Sequence, residues 1–180
     1  MTNEMRKVVH PSVWHGPEMG RRKDWIVRLD GADCAELDAA LAQAKARGAG
    51  IPALAKKDFP ISGVARKLAG VLADLEDGRG FALLRGLPVE RYSKADAAFI
   101  YWGIGAHFGP AFAQNAQGDM LGHVRDLGAD WRSDMKARGY QTRLRLPFHN
   151  DSTDLVGLLC LRSAKSGGSS LIVSSTAVHN

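Results

Sequence analysis

The hydrophobic pattern of this chain changes near Gly109, and that change constrains the fold more than any other feature. Before it, apolar residues recur at helical spacing in three stretches, which end near Gly48, near Gly78 and near Gly109. After it, short apolar or alternating segments are separated by Gly, Asp, Asn and Ser, as is typical of strands. Helices followed by a series of strands predict an α+β domain whose sheet part is a barrel or double-sheet jelly roll.

The starts of the three predicted helices carry recognisable signals. Asp33 and Glu36 have the spacing of a capping box, which predicts a helix from Asp33 to Arg47. Ser62 and Ser93 are predicted N-caps of the second and third helices, because a serine side chain accepts hydrogen bonds from free amides of the first turn. The apolar positions of these two helices are Val64, Leu68, Val71, Leu72 and Leu75, and then Ala97, Ile100, Tyr101 and Ile104. The second helix is expected to pack on a sheet.

Short apolar segments bounded by turn residues predict strands. These segments are residues 25–29, 80–86, 120–124, 142–146, 155–161 and 171–173. We therefore predict one domain over residues 1–180, with a helical N-terminal part over residues 1–78 and the start of a jelly-roll core over residues 79–180.

Composition excludes several classes of protein. The net charge is +5, but the basic residues are dispersed and the densest groups are residues 21–23 and 56–57, which argues against nucleic-acid binding. Cys34 and Cys160 are far apart without CxxC spacing, so neither a disulfide framework nor a zinc site is predicted, and a reducing cytoplasm fits. Nothing approaches the roughly 18 apolar residues of a membrane span, so we expect a cytoplasmic protein without membrane segments.

The most informative polar residues lie in residues 146–154, which read Leu-Pro-Phe-His-Asn-Asp-Ser-Thr-Asp. Side chains of an extended segment alternate between two faces, so His149 and Asp151 can converge on one ion. An imidazole nitrogen and a carboxylate oxygen supply two corners of the two-His-one-carboxylate triad that suits non-haem Fe(II). Taken alone, the triplet also fits a polar surface turn.

The order of segments over residues 79–180 resembles the TauD/TfdA (taurine catabolism dioxygenase) family of Fe(II)/2-oxoglutarate-dependent dioxygenases. In chain order the segments are GFALLRGL, a helix that ends in HFG, GHVRD, FHND, VGLLCLR and the Ser-Gly-Gly-Ser-Ser turn of residues 166–170. The resemblance implies that His149 and Asp151 bind Fe(II) and that the Ser170 hydroxyl contacts a 2-oxoglutarate carboxylate. It also implies hydroxylation of a small organic substrate by dioxygen, with release of succinate and CO2.

The sequence departs from the family pattern at its C-terminal side. Family members continue to a distal histidine, which completes the triad, and to an arginine that clamps the far carboxylate of 2-oxoglutarate. His179 and Arg162 come too early for these roles, and His179 is predicted to lie at the start of a helix. We therefore expect a truncated form of the enzyme, with an incomplete jelly roll that forms homo-oligomers or binds a completing C-terminal segment.

Other polar residues are secondary candidates. Gln114 and Asn115 lie in the loop that leads into the predicted sheet, where pocket-lining residues often occur, and are candidate substrate-binding residues. His107 ends the third helix and is predicted to pack or to interact with the helix dipole. His123 is predicted to face either the cavity or the solvent.

Two alternatives to an active dioxygenase stay open. Without the third ligand and the clamp, the chain would be an inactive remnant that acts as a binding or dimerisation module. The other alternative is a cupin-like protein that uses a different metal, since geometry and availability decide which ion a site holds.

Overall fold

Most of the regular structure lies before residue 110. The structure is a computed structural model and describes residues 6–130, 132–133 and 138–180. Residues up to 110 form a unit together with residues 159–180, which we call the helical unit, and residues 111–158 form a second unit, which we call the loop unit. The prediction of a single domain stays a prediction.

The elements follow one another in the order α1, β1, α2, α3, β2, α4 and α5. The α-helices are α1 (Gly16–Met19), α2 (Gly31–Ala46), α3 (Ser62–Glu76), α4 (Lys94–Gly105) and α5 (Ser175–His179), the strands are β1 (Ile26–Arg28) and β2 (Leu83–Arg85), and short 3-10 helices cover Lys56–Asp58, Val89–Arg91 and Gly139–Gln141. None of the helices in the described part of the chain is long and apolar enough to cross a membrane.

The two strands pair in parallel, with Ile26 opposite Leu83. Both lie where strands were predicted, and α2 and α3 form the crossover that a parallel pair requires. Gly86 follows β2 with a φ of +113°, and a Cβ atom there would lie 2.3 Å from the Leu29 carbonyl oxygen. Only glycine therefore fits where the chain leaves the sheet.

The caps of α2 and α3 differ from the prediction. Asp30 is the N-cap of α2, and its side chain accepts hydrogen bonds from the amides of Ala32 and Asp33. Asp33 is the third helical residue and completes the capping box. Glu36 instead reaches α3, where its carboxylate accepts hydrogen bonds from the amides of Gly63 and Val64, each at 2.8 Å. The predicted Ser62 cap is wrong because this carboxylate, brought from another helix, already occupies the first amides.

The core of the helical unit forms where α2 packs against α3 and α4. The predicted positions Val64, Leu68, Val71, Ala97, Ile100 and Ile104 are buried, as are Leu37, Leu41, Phe59 and Ile61. Ser93 caps α4 as predicted, accepting a hydrogen bond from the Asp96 amide. Burying a large apolar side chain stabilises a fold by about 1.5–3 kcal/mol, so this cluster is the main source of stability.

Four of the predicted strands are absent from the described residues. Residues 120–124, 142–146, 155–161 and 171–173 contain no strand, and no jelly roll is formed within the described part of the chain. A strand needs a hydrogen-bonded neighbour, which local apolar character cannot supply. Many apolar side chains in these segments are accordingly exposed, including Val124, Leu146, Val156, Leu158, Leu171, Ile172 and Val173.

Two backbone hydrogen bonds join separate segments of the loop unit. The amides of Arg125 and Leu127 donate hydrogen bonds to the carbonyls of Tyr140 and Gln141, at 3.1 and 2.8 Å. The acceptors are adjacent residues of a 3-10 helix, whereas a sheet ladder spaces the residues two apart on both segments, so these bonds are not strand pairing.

Candidate functional site

His149 and Asp151 lie on the same side of their segment. His149 Nε2 and Asp151 Oδ1 are 3.9 Å apart, and the two side chains are 55% and 56% exposed. Residues 147–151 contain no helix, so the convergence that the i, i+2 spacing predicts is present. The pair is open to solvent on the loop unit, where an ion or a small molecule can reach both groups.

A second contact fixes the tautomer of the His149 imidazole. His149 Nδ1 is 2.9 Å from the carbonyl oxygen of Pro147. A carbonyl oxygen only accepts hydrogen bonds, so Nδ1 carries the proton in the neutral ring and Nε2 keeps its lone pair. Metal-binding histidines commonly donate their other ring N–H to a backbone carbonyl in this way. The free nitrogen is the one that lies near Asp151.

The donor set fits a metal such as Fe(II). Imidazole nitrogen and carboxylate oxygen are the donors of the facial triad. With bonds of about 2.1 Å, neighbouring corners of an octahedron are roughly 3.0 Å apart. The observed 3.9 Å therefore has to shorten by about 1 Å, which rotation of two half-exposed side chains can provide. Among the described residues, no group of three His, Cys, Asp or Glu side chains could hold a metal.

Ser170 lies in the helical unit, at the end of a turn made by two glycines. Gly167 and Gly168 have φ values of +70° and +72°, a conformation that favours glycine at both positions. The Ser170 side chain is exposed, as is all of residues 161–170. The turn thus presents an exposed hydroxyl, and its proposed contact with the cosubstrate stays a prediction.

Gln114 and Asn115 organise their own loop. Gln114 Nε2 donates to the Phe112 carbonyl at 2.8 Å. Asn115 Oδ1 accepts hydrogen bonds from the amides of Gln117 and Asp119, and its Nδ2 donates to the Asp119 carboxylate at 2.7 Å. The Asn115 amide is therefore occupied in this conformation, and a role in substrate binding stays a prediction for both residues.

Comparison with known proteins decides the family. The family described as "Taurine catabolism dioxygenase TauD, TfdA family" matches residues 38–180. The chain belongs to the TauD/TfdA family. The match includes both His149 and Asp151, as well as Ser170, and it confirms the resemblance seen in the sequence.

Two curated relatives of this TauD/TfdA chain match nearly all of it. FR-33289 synthase of Streptomyces rubellomurinus is 33% identical over 175 residues, which cover 97% of this chain and 52% of the relative. Taurine hydroxylase-like protein SAT17 of Stachybotrys chartarum is 30% identical over 173 residues, which cover 93% of this chain and 45% of the relative. The chain thus spans about half the length of the curated relatives it matches.

The other histidines of the TauD/TfdA chain have structural or solvent-exposed positions. His107 Nε2 is 3.1 Å from the Phe59 carbonyl oxygen, and its Nδ1 is buried without a hydrogen-bond partner among the described residues, in agreement with the predicted packing role. His123 is exposed, which is one of the two predicted orientations. His179 is exposed at the end of α5, not at its start, because α5 begins four residues earlier at Ser175.

Sequence reasoning missed a charged cluster in the helical unit. Lys67 contacts the carboxylates of Asp33 and Asp30 as well as the Arg28 carbonyl. The hydrogen bond to Asp33 raises the pKa of Lys67, although partial burial opposes the shift. Each charge of the cluster has a partner, so it ties α3 to the start of α2 and is not a second reactive site. The sequence signal that could have indicated this cluster is the acidic pair Asp30 and Asp33 near the start of α2, followed by Lys67 on α3.

Proposed function

We propose that this chain supplies two of the three metal ligands of an Fe(II)/2-oxoglutarate-dependent dioxygenase that hydroxylates a small organic substrate. The observation that carries the proposal is the pair formed by His149 Nε2 and Asp151 Oδ1, with Nδ1 held by the Pro147 carbonyl. Membership of the TauD/TfdA family supports it, because members of this family use Fe(II) and 2-oxoglutarate.

Each residue has a defined role in this proposal. His149 binds the metal through Nε2, and Asp151 binds it through a carboxylate oxygen, which leaves other positions open. The Ser170 hydroxyl donates a hydrogen bond to a carboxylate of 2-oxoglutarate, and Gln114 and Asn115 line the substrate side. When bound, Fe(II) with 2-oxoglutarate supplies the activation of dioxygen that oxidises a substrate C–H bond, giving succinate and CO2.

The protein's own contribution is to orient the ligands. The Pro147 carbonyl holds the imidazole in the tautomer that leaves Nε2 unprotonated. In this tautomer the lone pair of Nε2 is the one that can bind a cation. Because the ring is already fixed, less rotational freedom is lost when the metal binds.

A completing polypeptide is part of the proposal. The loop unit exposes apolar side chains at Phe112, Val124, Leu127, Leu146, Phe148, Val156 and Leu158. Exposed apolar side chains that lie together on a surface are typical of an interface. We propose that a segment corresponding to the rest of the relatives' length, or a second copy of the chain, covers it.

A second candidate function is an inactive binding or dimerisation module. It is favoured by the same exposed apolar surface, and by the absence of a third metal-binding side chain near His149 and Asp151 among the described residues. The two functions differ in one observable: only the dioxygenase forms succinate from 2-oxoglutarate.

The test is a succinate assay on a protein that extends to the relatives' length. We expect succinate formation that requires Fe(II) and 2-oxoglutarate and that is lost in His149→Ala and in Asp151→Asn. His123→Ala and Asp154→Asn are matched controls, because they remove an exposed histidine and an exposed carboxylate of the same unit. Undiminished turnover in either ligand variant would place the metal elsewhere, and no succinate from the parent protein would favour the binding module.

A further inference from the structure

The N-terminal arm, which we define as residues 8–14, is bound to the last residues of the helical unit. The Val8 amide donates to Asn180 Oδ1 at 2.8 Å, and Asn180 Nδ2 donates to the Val8 carbonyl at 2.9 Å. The side-chain amide thus satisfies both polar groups of one residue, as a neighbouring strand would. The contact joins residues that are 172 positions apart in sequence.

A cluster of hydroxyl groups makes a second contact of this kind. The Ser12 carbonyl accepts hydrogen bonds from Ser174 Oγ and from Thr176 Oγ1, the latter at 2.8 Å. Ser12 Oγ also lies 3.0 Å from Thr176 Oγ1. Ser174 is only 5% exposed, which makes its hydroxyl one of the few buried polar groups in the described residues. Buried hydrogen bonds of this type are costly to break, because the partner left behind is not solvated.

The arm is anchored at its other end by a tryptophan. Trp14 Nε1 donates to the Arg79 carbonyl at 2.9 Å, and the Trp14 ring meets the Phe81 ring edge to face with centroids 5.2 Å apart. Arg79 and Phe81 lead into β2. The arm therefore connects residues 174–180 to the sheet of the helical unit.

The segment held by the arm has little other support. α5 has five residues, and isolated helices this short are unstable. The preceding residues 159–173 contain no helix or strand, and Leu171, Ile172 and Val173 are exposed. The contacts with Val8 and Ser12 therefore restrain residues 174–180, which have little regular structure of their own.

We propose that residues 8–14 form a strap that holds residues 174–180, and with them the downstream end of the Gly167–Ser170 turn, against the sheet of the helical unit. The groups that bond across the contact are amides, hydroxyls and carbonyls, so added salt should not weaken the strap. Its consequence for the cosubstrate contact of Ser170 rests on the proposed function, whereas the strap itself does not.

Hydrogen exchange of the 180-residue chain, followed by mass spectrometry, tests the strap. Thr176→Val keeps the β-branched shape of the side chain but removes both contacts of Oγ1 with Ser12. Losing these bonds should speed exchange about 5–30-fold in peptides covering residues 6–14 and 174–180. Ser175→Ala is the matched control, because Ser175 is exposed and its hydroxyl makes none of these contacts.

A second variant separates the strap from helix capping. Ser174 Oγ also accepts a hydrogen bond from the Ala177 amide, and an aspartate retains this cap but cannot donate to the Ser12 carbonyl. We expect Ser174→Asp to speed hydrogen exchange of residues 6–14. Adding 0.5 M NaCl should leave the hydrogen exchange of the parent chain unchanged. If both Thr176→Val and Ser174→Asp show the same exchange rates in this arm as the parent chain, the strap proposal is overturned. Because the assay needs neither iron nor 2-oxoglutarate, it stands or fails independently of the proposed function.

Discussion

Replacing Glu36 should destabilise the helical unit through a helix to which this residue does not belong. The Glu36 carboxylate caps α3 by accepting hydrogen bonds from the amides of Gly63 and Val64, each at 2.8 Å, and from the Ser62 hydroxyl at 3.3 Å. A Cβ atom on Gly63 would lie 2.9 Å from Glu36 Oε2, so the close approach also depends on this glycine.

The expected loss follows from what the carboxylate contacts. An N-cap is worth about 0.5–2 kcal/mol, and a hydrogen bond to a charged group about 1.5–3 kcal/mol. Since Glu36 is half-buried and partly hydrated in the folded chain, we expect Glu36→Ala to lower the free energy of unfolding by about 2 kcal/mol. For a chain of this length that corresponds to a fall in Tm of roughly 4–8 °C. Glu90→Ala, which removes an exposed carboxylate, is the control.

The pH dependence of this effect has a definite sign. Burial by itself raises the pKa of Glu36, but the hydrogen bonds from Gly63 and Val64 outweigh it and lower the pKa below the ordinary value of 4.5. A lowered pKa contributes stability that is present above the unfolded value and is lost as the pH falls through the folded value. The difference between the parent and Glu36→Gln in urea unfolding should therefore shrink below about pH 4.5. An equal difference at pH 7 and pH 3.5 would refute the capping role.

Two further predictions concern packing and association. Gly103→Ala should lower the free energy of unfolding by about 1–3 kcal/mol, because its Cβ would lie 2.4 Å from the Phe59 ring. Gly105→Ala meets open space and should raise the free energy of unfolding by up to about 1 kcal/mol. Equal urea midpoints for the two variants would contradict this packing. The 180-residue chain should self-associate through exposed residues such as Leu171 and Val173, and Leu171→Lys with Val173→Lys should reduce the sedimenting mass. A monomeric parent in sedimentation velocity would contradict the second prediction.

The accuracy of the sequence predictions depended on the distance between interacting residues. The Ser93 cap and the convergence of His149 and Asp151 involve neighbours within a few residues, and both are present in the structure. The α3 cap comes from Glu36, 27 residues before Gly63, so no local pattern indicates it. Local signals also favoured Ser62, which stands at the right place with a suitable side chain.

The strand predictions failed for a related reason. Residues 155–161 and 171–173 have strand-like composition, but strand pairing depends on partners that composition does not specify. Within the predicted residues 25–29 and 80–86, strands did form at Ile26–Arg28 and Leu83–Arg85, because the crossover through α2 and α3 brings them side by side. The link between Nδ1 of His149 and the Pro147 carbonyl depends on the backbone conformation of the segment, which the sequence leaves open.

The most direct test of the iron site is an anaerobic Fe(II) titration of the 15N-labelled chain followed by NMR. Paramagnetic Fe(II) broadens nearby signals even when binding is weak, as we expect from two ligands. We predict that the amide signals of residues 148–152 broaden first, and that this selective loss disappears in His149→Ala and in Asp151→Asn but persists in His123→Ala. Broadening centred on another part of the chain, or unchanged in the two ligand variants, would contradict the assignment of His149 and Asp151 as metal ligands.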